Sequence, residues 1–331
     1  MISRRQFHSL AFASLGASLT RDLWASEAQA GPSGRYFYFA IVADSHIIDA
    51  FYRGPENSPE DTESMFHTSE RLIAARDLIN SLDPPIEQVF LLGDYFHDYP
   101  STDYEFYFRN QTRLDHARAI TQGFRMPAHV GFGNHDYDVP RVSREMSHAL
   151  FAAKFQLKPY YSVDYKGCRF VLLNNALGET WNPAASAYDL ETGSFGEPQL
   201  NWLEEQLRAG KPTFVFTHFP LWVCAATEVK DYGLYPLLHK YQDNIQLVVT
   251  GHWHKWIDFA HTFGPQHYVM AATRYDPNAY MLMEVDTQAW SWRFVNAGLV
   301  EWATHYSKPW QRTASLHAGF GGTSRTGAGL S

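Results

Sequence analysis

Five short segments of the chain carry side chains that can bind a metal ion or transfer a proton. One is Gly133-Asn134-His135-Asp136, which places an amide oxygen, an imidazole nitrogen and a carboxylate in a single turn. The other four are Asp44-Ser45-His46, Gly93-Asp94, Thr217-His218 and Gly251-His252-Trp253-His254. Oxygen and imidazole ligands suit hard or borderline divalent ions, and the absence of cysteine from this set argues against a structural zinc site. The residue types therefore indicate metal-assisted chemistry.

The five segments share a second property, because each one follows an apolar run that is typical of a strand. Asp44 and His46 lie at i and i+2, so in extended backbone both side chains are on the same face. In α/β proteins, side chains at the exits of several strands converge on one rim of the sheet, where the functional site lies. The pattern therefore predicts a single site assembled from distant parts of the chain.

The rest of the chain supplies the elements that must hold these segments. Alternation and β-branched or aromatic residues predict strands over residues 35–43, 86–92, 127–132, 160–164, 168–173, 213–216, 245–249, 268–272, 280–285 and 290–296. Helical spacing predicts helices over residues 65–82, 113–124, 141–156, 197–208 and 232–241. Residues 51–63 and 176–197 are predicted to be loops. The aromatic side chains between Tyr95 and Phe108 are predicted to pack in the core, with a substrate wall as the alternative.

Composition sets limits on the function. The chain has 331 residues, of which 45% are hydrophobic, so a large core is possible and global disorder is excluded. The formal net charge of -8 argues against a nucleic-acid partner held by a basic surface. Cys168 and Cys224 belong to no CxxC motif and are predicted to be buried, inert thiols. A bridge between them stays open if the protein is exported.

Residues 1–30 resemble an export signal of the twin-arginine type. Ser3-Arg4-Arg5-Gln6-Phe7 is followed by a short apolar segment and then by Ala28-Gln29-Ala30, a small-x-small cleavage pattern. The apolar segment is too short for a permanent membrane span. The pattern predicts a bacterial periplasmic or secreted protein that uses the twin-arginine export machinery. One domain is predicted over residues 31–311, followed by a Gly/Ser/Thr-rich, disordered tail over residues 312–331.

The ordered motifs Asp-x-His, Gly-Asp, Gly-Asn-His-Asp, His and Gly-His-x-His resemble those of the calcineurin-like metallophosphoesterase superfamily. In this chain they span residues 44–254, which is most of the predicted domain. The resemblance implies an α/β fold in which two packed mixed β-sheets are flanked by helices, with the site at the strand ends. It also implies a catalytic domain that hydrolyses a small phosphoester, either a phosphomonoester or a phosphodiester.

The resemblance further implies two divalent or trivalent metal ions, for which zinc, iron and manganese are all suitable. The implied ligands of the first ion are Asp44, His46 and His254. The implied ligands of the second ion are Asn134, His218 and His252. Asp94 is expected to bridge both ions through its carboxylate.

The same resemblance implies roles for two further residues of the Gly-Asn-His-Asp turn. A hydroxide held between the ions is expected to attack phosphorus in line, while His135 orients the phosphate and protonates the leaving oxygen. Asp136 is expected to hold the ring of His135 in place, as carboxylates beside metal-site histidines do.

One position departs from the usual pattern of the superfamily. A second acid normally lies three positions after the bridging one, but here His97 occupies that position and Asp98 follows it. Purple acid phosphatases have a metal-binding tyrosine there, so their charge-transfer iron site is not expected. The stretch from Gly93 to Ser101 is similar to a group of DNA-repair nucleases. His97 is expected either to position substrate or water, or to be an ordinary helix-start residue.

Two alternatives accompany the main interpretation. An exported nuclease of the same superfamily is a rival within the same class, although the acidic charge balance disfavours it. A metal-binding or interaction protein without catalysis is a rival from another class. The complete ligand set argues against the second alternative, because relatives that lose activity tend to lose ligands first.

Overall fold

Successive side chains of the first strand point alternately into two different cores, and this alternation shows how the fold is layered. The computed structural model describes residues 34–229 and 232–303. Strand β1 (Tyr36–Val42) is buried along nearly its whole length. Its odd-numbered side chains join an aromatic core shared by two sheets, whereas its even-numbered side chains join a second core that includes helix residues. A strand buried on both faces in this way is typical of a layered α/β protein.

The strands and helices of the described residues follow in chain order. The remaining strands are β2 (Gln88–Leu91), β3 (Ala128–Val130), β4 (Tyr161–Tyr165), β5 (Cys168–Leu172), β6 (Thr213–Phe216), β7 (Ile245–Thr250), β8 (Ile257–Ala260), β9 (His267–Val269), β10 (Tyr280–Asp286) and β11 (Ser291–Phe294). The helices are α1 (Pro59–Met65), α2 (Thr68–Ser81), α3 (Phe106–Arg109), α4 (Arg113–Thr121), α5 (Arg144–Phe155), α6 (Glu197–Arg208) and α7 (Leu234–Lys240). Short 3-10 turns cover Glu179–Trp181, Leu221–Val223 and Ala297–Leu299.

The strands form two mixed sheets. The first has the order β11-β10-β1-β2-β3. Strands β1, β2 and β3 are parallel to one another, whereas β10 pairs antiparallel with both β1 and β11. The second has the order β4-β5-β6-β7-β9-β8, with a parallel centre and antiparallel strands β4 and β8 at its edges. The predicted fold class, α/β with two packed mixed sheets flanked by helices, is therefore confirmed.

Phenylalanine rings fill the space between the two sheets. Phe90 of the first sheet stacks on Phe170 of the second with ring centroids 4.7 Å apart. Phe39 meets the same Phe170 edge-on at 5.1 Å, and Phe214 stacks on it at 5.2 Å. Each aromatic pair contributes about 0.5–1.5 kcal/mol beyond its burial of apolar area. This contact fixes the two sheets against each other and, with them, the strand ends that carry the candidate site.

Among the helices and strands, three short elements were not expected from the sequence: helix α1, helix α3 and strand β8. Helix α1 lies within the predicted loop 51–63 and extends to Met65. The Ser58 side chain accepts a hydrogen bond from the Asp61 backbone N–H (3.0 Å), and Pro59 occupies the start of the helix. Proline in the first turn of a helix costs no hydrogen bond, so Ser-Pro-Glu-Asp was a helix-start signal rather than a loop signal. Strand β8, which pairs antiparallel with β9, was also missed.

Three further expectations concern the chain termini, membrane-spanning helices and the two cysteines. The predicted export signal (residues 1–30) and tail (residues 312–331) lie outside the described residues, so both stay predictions, as does the periplasmic or secreted location. None of the helices in the described part of the chain has the length and apolar character needed to cross a membrane. Cys168 and Cys224 are free and buried, so the bridge that the sequence left open is absent from the structure.

Candidate metal centre

The five predicted segments leave the strands at one rim shared by both sheets. Three of them follow the parallel strands β1, β2 and β3, and two follow the parallel strands β6 and β7 of the second sheet. Hydrogen bonds between backbone groups continue past the strand ends and connect neighbouring turns. The His46 N–H donates to the Asp94 carbonyl (2.8 Å), and the Gly251 N–H donates to the His218 carbonyl (2.9 Å). The predicted convergence on one rim is therefore what the structure shows.

The turns that carry the side chains have an uncommon backbone. A positive φ is found at five of the seven predicted metal ligands: Asp44 (55°), His46 (47°), Asp94 (45°), His252 (69°) and His254 (55°). This region is sparsely populated by residues other than glycine, although Asp, Asn and His enter it most readily. Each such conformation costs on the order of 1–3 kcal/mol, and such residues cluster at functional sites. The positive-φ conformations therefore lower the stability of the fold, and they direct these side chains toward one another.

Glycines in these turns leave room for the side chains. A Cβ atom at Gly133 would lie 2.3 Å from both the backbone nitrogen and Oδ1 of Asp94, and 2.9 Å from Nδ1 of His218. A Cβ atom at Gly251 would lie 2.4 Å from Oδ2 of Asp44. Neither position can hold a larger residue unless a candidate ligand moves.

The variant Gly133→Ala tests this packing. We expect it to lower the free energy of unfolding by about 1–3 kcal/mol and to reduce metal uptake, because its methyl group displaces Asp94. Urea unfolding and elemental analysis measure the two effects. Gly298→Ala is the matched control, since a Cβ there meets nothing within 4 Å. Normal metal uptake by Gly133→Ala would contradict the predicted displacement.

The first group of ligand atoms contains two histidines and two carboxylates. Nε2 of His46 lies 3.2 Å from Nε2 of His254 and 3.4 Å from Oδ2 of Asp94. Nε2 of His254 lies 3.3 Å from Oδ1 of Asp44. The ligand atoms of these four residues all lie within 4.8 Å of one another. They match the ligands expected for the first ion together with the bridging carboxylate.

The second group also contains the Asp94 carboxylate. Nε2 of His218 lies 3.2 Å from Oδ2 of Asp94 and 3.0 Å from Oδ1 of Asn134. The Asn134 oxygen is also 2.9 Å from Nδ1 of His252. Asp94, His218 and His252 have ligand atoms within 4.8 Å of one another. Asp94 belongs to both groups, so the two groups share its carboxylate.

The hydrogen bonds around His218 test whether a cation fits this centre. Nδ1 of His218 lies 2.9 Å from the Leu92 carbonyl oxygen, which can only accept, so Nδ1 carries a proton. Nε2 then faces the oxygens of Asp94 and Asn134, which also only accept. A proton or a metal ion must lie between these groups. Burial alone would lower the pKa of His218, but Asp94 outweighs it and raises the pKa to about 9. The donor set therefore fits a cation.

The other buried groups agree with this assignment. Burial lowers the pKa of His252 to about 3, so its ring is neutral and can offer a lone pair to an ion. Burial likewise holds the pKa of His46 well below its ordinary value. Burial alone would raise the pKa of Asp94, but the nearby rings of His218, His135 and His46 hold it well below its usual range. A charged carboxylate surrounded by imidazoles is suited to bind divalent ions.

His135 lies beside the first group, with its side chain 32% exposed. Its ring centroid is 4.9 Å from that of His46, and its backbone N–H donates to Oδ1 of Asp94 (2.8 Å). Nδ1 of the ring is 2.8 Å from Oδ1 of Asp98, while Nε2 has no hydrogen-bond partner within the described residues. Burial alone would lower the pKa of His135, but Asp94 and Asp98 raise it to about 9. Asp98 therefore holds the ring at Nδ1, and Nε2 is free to contact a ligand.

The expected contact between Asp136 and the ring of His135 is corrected by the structure. The Asp136 carboxylate is fully buried and accepts the backbone N–H groups of Gly133 (2.7 Å), Tyr95 (3.0 Å) and Phe96 (3.2 Å). These bonds join the Gly-Asn-His-Asp turn to the turn after β2. Asp136 therefore organises the backbone of the site, and Asp98 is the residue that holds the ring.

Three other residues of the site were assigned no definite role from the sequence. His97 stacks on His135 with ring centroids 4.4 Å apart, and its Nδ1 is 3.1 Å from Nδ1 of His46. Oδ1 of Asn175 accepts hydrogen bonds from the Thr217 hydroxyl (2.6 Å) and the His218 N–H (3.0 Å). Asn175 follows the apolar strand β5, so the signal that identified the other segments applied to it as well. Asp98 carried no such signal.

A third set of imidazoles is not a third metal site. His46, His97 and His135 also bring ligand atoms within 4.8 Å of one another. However, Nδ1 of His97 contacts Nδ1 of His46, and Nδ1 of His135 contacts Asp98. His46 also belongs to the first group of ligand atoms, so this set shares a residue with that group and is not a separate site.

Comparison with known proteins agrees with this geometry. A family model described as calcineurin-like phosphoesterase matches residues 37–256. No curated protein matches the chain. The fold is similar to the crystal structure of a dimetal phosphatase from Danio rerio, with a TM-score of 0.50 and 18% sequence identity, covering 75% of this chain and 92% of that one.

Two further solved structures are more distant in shape. One is a purple acid phosphatase from yellow lupin seeds, with a TM-score of 0.47 and 15% identity, covering 80% of this chain and 52% of that one. The other is the calcineurin-like phosphoesterase YfkN from Bacillus subtilis, with a TM-score of 0.47 and 11% identity, covering 78% of this chain and 88% of that one.

Proposed function

The chain belongs to the calcineurin-like phosphoesterase family, and on that premise we propose that it hydrolyses a small phosphoester with the help of two metal ions. The observation that carries the proposal is the position of Asp94. Its carboxylate is shared by two groups of ligand atoms, and the ring of His135 lies beside His46 of the first group. A single metal-binding site without catalysis does not require a shared carboxylate and an adjacent, partly exposed histidine.

The proposed ligands divide as the resemblance implied. Asp44, His46 and His254 would hold one ion, and Asn134, His218 and His252 would hold the other, with Asp94 contributing to both groups. Two ions held there would supply Lewis acidity, which neutralises phosphate charge and makes a water molecule more acidic. Five of the seven proposed ligands lie in left-handed turns, which fix the directions of their side chains.

We assign proton transfer to His135 because its side chain is 32% exposed and its Nδ1 atom, but not its Nε2 atom, is engaged with a neighbour within the described residues. When the bond between phosphorus and the leaving oxygen breaks, that oxygen gains electron density and needs a proton. Nε2 of His135 supplies this proton, while Nδ1–H stays bonded to the Asp98 carboxylate. Asp98 thereby keeps the ring oriented and stabilises its charged form, in the role that the sequence analysis gave to Asp136.

Removal and replacement of metal tests the proposed activity. The expected result is that a strong chelator abolishes hydrolysis of nitrophenyl phosphate or bis(nitrophenyl) phosphate, and that adding zinc, manganese or iron restores it. Comparing the monoester and diester rates in one panel reports the preferred substrate class. Including single-stranded DNA tests the nuclease alternative, which requires faster cleavage of DNA than of the small esters. A folded sample that takes up metal but hydrolyses nothing in the panel would contradict the proposal.

A further inference from the structure

Three side chains in contact, Glu56, His97 and His46, connect a loop outside all the motifs to the metal centre. His46 is a proposed ligand of that centre. Nε2 of His97 lies 3.3 Å from Oε1 of Glu56, and Nδ1 of His97 lies 3.1 Å from Nδ1 of His46. His46 is fully buried, His97 is 5% exposed, and the Glu56 side chain is 16% exposed. These contacts are largely shielded from water, which strengthens the electrostatic interaction between the groups.

The Glu56 carboxylate, at one end of these three side chains, determines where each proton lies. An ionised carboxylate only accepts hydrogen bonds, and a neutral imidazole has one donor and one acceptor nitrogen. When the His97 ring has a single proton, contact with Glu56 favours that proton on Nε2, which leaves Nδ1 as an acceptor. That acceptor places the proton of His46 on Nδ1. Nε2 of His46, which faces His254 and Asp94, is left with the lone pair that a metal ion needs.

Glu56 is itself held in position by neighbours outside the metal centre. Its Oε1 accepts the Tyr52 hydroxyl (2.7 Å), and its backbone N–H donates to the Thr62 hydroxyl (2.9 Å). Nη2 of Arg274 lies 3.7 Å from its Oε2. These contacts fix the carboxylate so that it can direct the His97 ring.

One other carboxylate approaches His97, but its geometry is weaker. Oδ2 of Asp98 is 3.7 Å from Nε2 of His97, beyond hydrogen-bond distance, whereas Oε1 of Glu56 is at 3.3 Å. Asp98 is also engaged with His135 and has a side chain that is 45% exposed. Glu56 is therefore the group that determines the proton position on His97.

From this geometry we infer that Glu56 is a positioning residue, which acts through His97 to hold His46 in the one tautomer that can bind metal through Nε2. The inference rests on the proposed two-metal function, in which His46 is a ligand of the first ion. It assigns a role to residue 56, which no motif covers, and explains why a histidine fits at position 97, where the superfamily usually has an acid. His97 can both accept from His46 and donate to Glu56.

Nitrogen NMR of the metal-free full chain, labelled with 15N-histidine, tests the proton positions directly. The expected result is a proton on Nδ1 of His46 and on Nε2 of His97. In Glu56→Met, which keeps the side-chain length but has no acceptor oxygen, we expect His46 to lose its single tautomer. Glu56→Gln keeps an acceptor oxygen and should resemble the wild type. A doubly protonated His97, or an unchanged His46 in Glu56→Met, would overturn the inference.

Zinc affinity provides a second readout, measured by competition with a chromogenic chelator. We expect Glu56→Met to weaken one of the two zinc sites about 10–100-fold and to leave the other unchanged, as is usual for residues that orient a ligand. Glu60→Met is the matched control, since it makes the same change at an exposed carboxylate of the neighbouring helix α1, and its affinities should stay normal. Equal weakening in both variants would indicate a general effect on the loop and contradict a positioning role.

A second variant covers the case in which Glu56→Met does not fold. His97→Leu removes the acceptor for His46 directly, so the same loss of a single His46 tautomer and the same weakening of one site are expected. These measurements use neither substrate nor turnover. A protein that binds two ions and shows the predicted tautomers, yet hydrolyses no phosphoester, would refute the proposed function while supporting the role of Glu56.

Discussion

Replacing Asp94 by asparagine is expected to abolish turnover and to lower the metal content below two ions per chain. The asparagine side chain keeps the size of aspartate but loses the charge and one of the two oxygens that a bridging group needs. We expect kcat/KM to fall on the order of 10³-fold or more, which corresponds to about 4 kcal/mol of lost transition-state stabilisation. Elemental analysis and a phosphoester assay on the same sample measure both effects.

The control for Asp94→Asn is the same chemical change at an exposed carboxylate. Asp77 lies on α2, and its side chain is 60% exposed and paired with Arg76. Asp77→Asn should therefore keep both the ions and the rate. If Asp94→Asn retained two ions and a normal rate, Asp94 would not be the bridging residue and the two-metal assignment would fail.

Replacing His135 by alanine is expected to separate rate from metal binding. His135 contacts the centre through its backbone and ring but belongs to neither proposed ligand set, so both ions should remain. The loss of a general acid typically lowers kcat about 10²–10⁴-fold. The loss should be largest for an alkyl phosphoester and smallest for a nitrophenyl ester, because nitrophenolate leaves without needing a proton. Rates on the two substrates, with metal content, test this pattern.

Asp98→Asn provides the companion measurement for the role of His135. The ring keeps its nitrogens but loses the charge that orients it and stabilises its protonated form, so we expect a smaller loss of rate than in His135→Ala, again with both ions bound. Loss of metal in His135→Ala equal to that in Asp94→Asn would refute the assignment of His135 as a proton donor.

The proposed ligands could be recognised from the sequence because each lies directly after an apolar run. His218, for example, ends the run from Thr213 to Phe216, which is also strand β6, so the local sequence indicates both the strand and the side chain at its exit. Parallel neighbours then bring these exits to one rim. The sheet order and the pairing of individual strands require tertiary contacts, and β8 was missed for that reason.

The contacts that orient the ligands were not predictable from the same signals. Asp98 lies 37 residues before the ring that it holds, whereas Asp136 is adjacent to His135 in sequence. Adjacent side chains in a tight turn point in different directions, so neighbourhood in sequence suggested the wrong partner. Glu56 lies in a polar segment without periodicity, and its approach to His97 depends on the path of a loop that no local pattern specifies.

The wide separation of the ligands along the chain has a consequence for how the protein acquires its ions. His254 lies 208 residues after His46, although their Nε2 atoms are 3.2 Å apart. A growing polypeptide therefore offers no complete ion-binding pocket until the ribosome has delivered the segment from His252 to His254 and that segment has docked. Tight-binding metals compete according to supply as well as ligand chemistry. If the protein binds two ions as proposed, the metal supply of the compartment where folding ends would therefore help to select them.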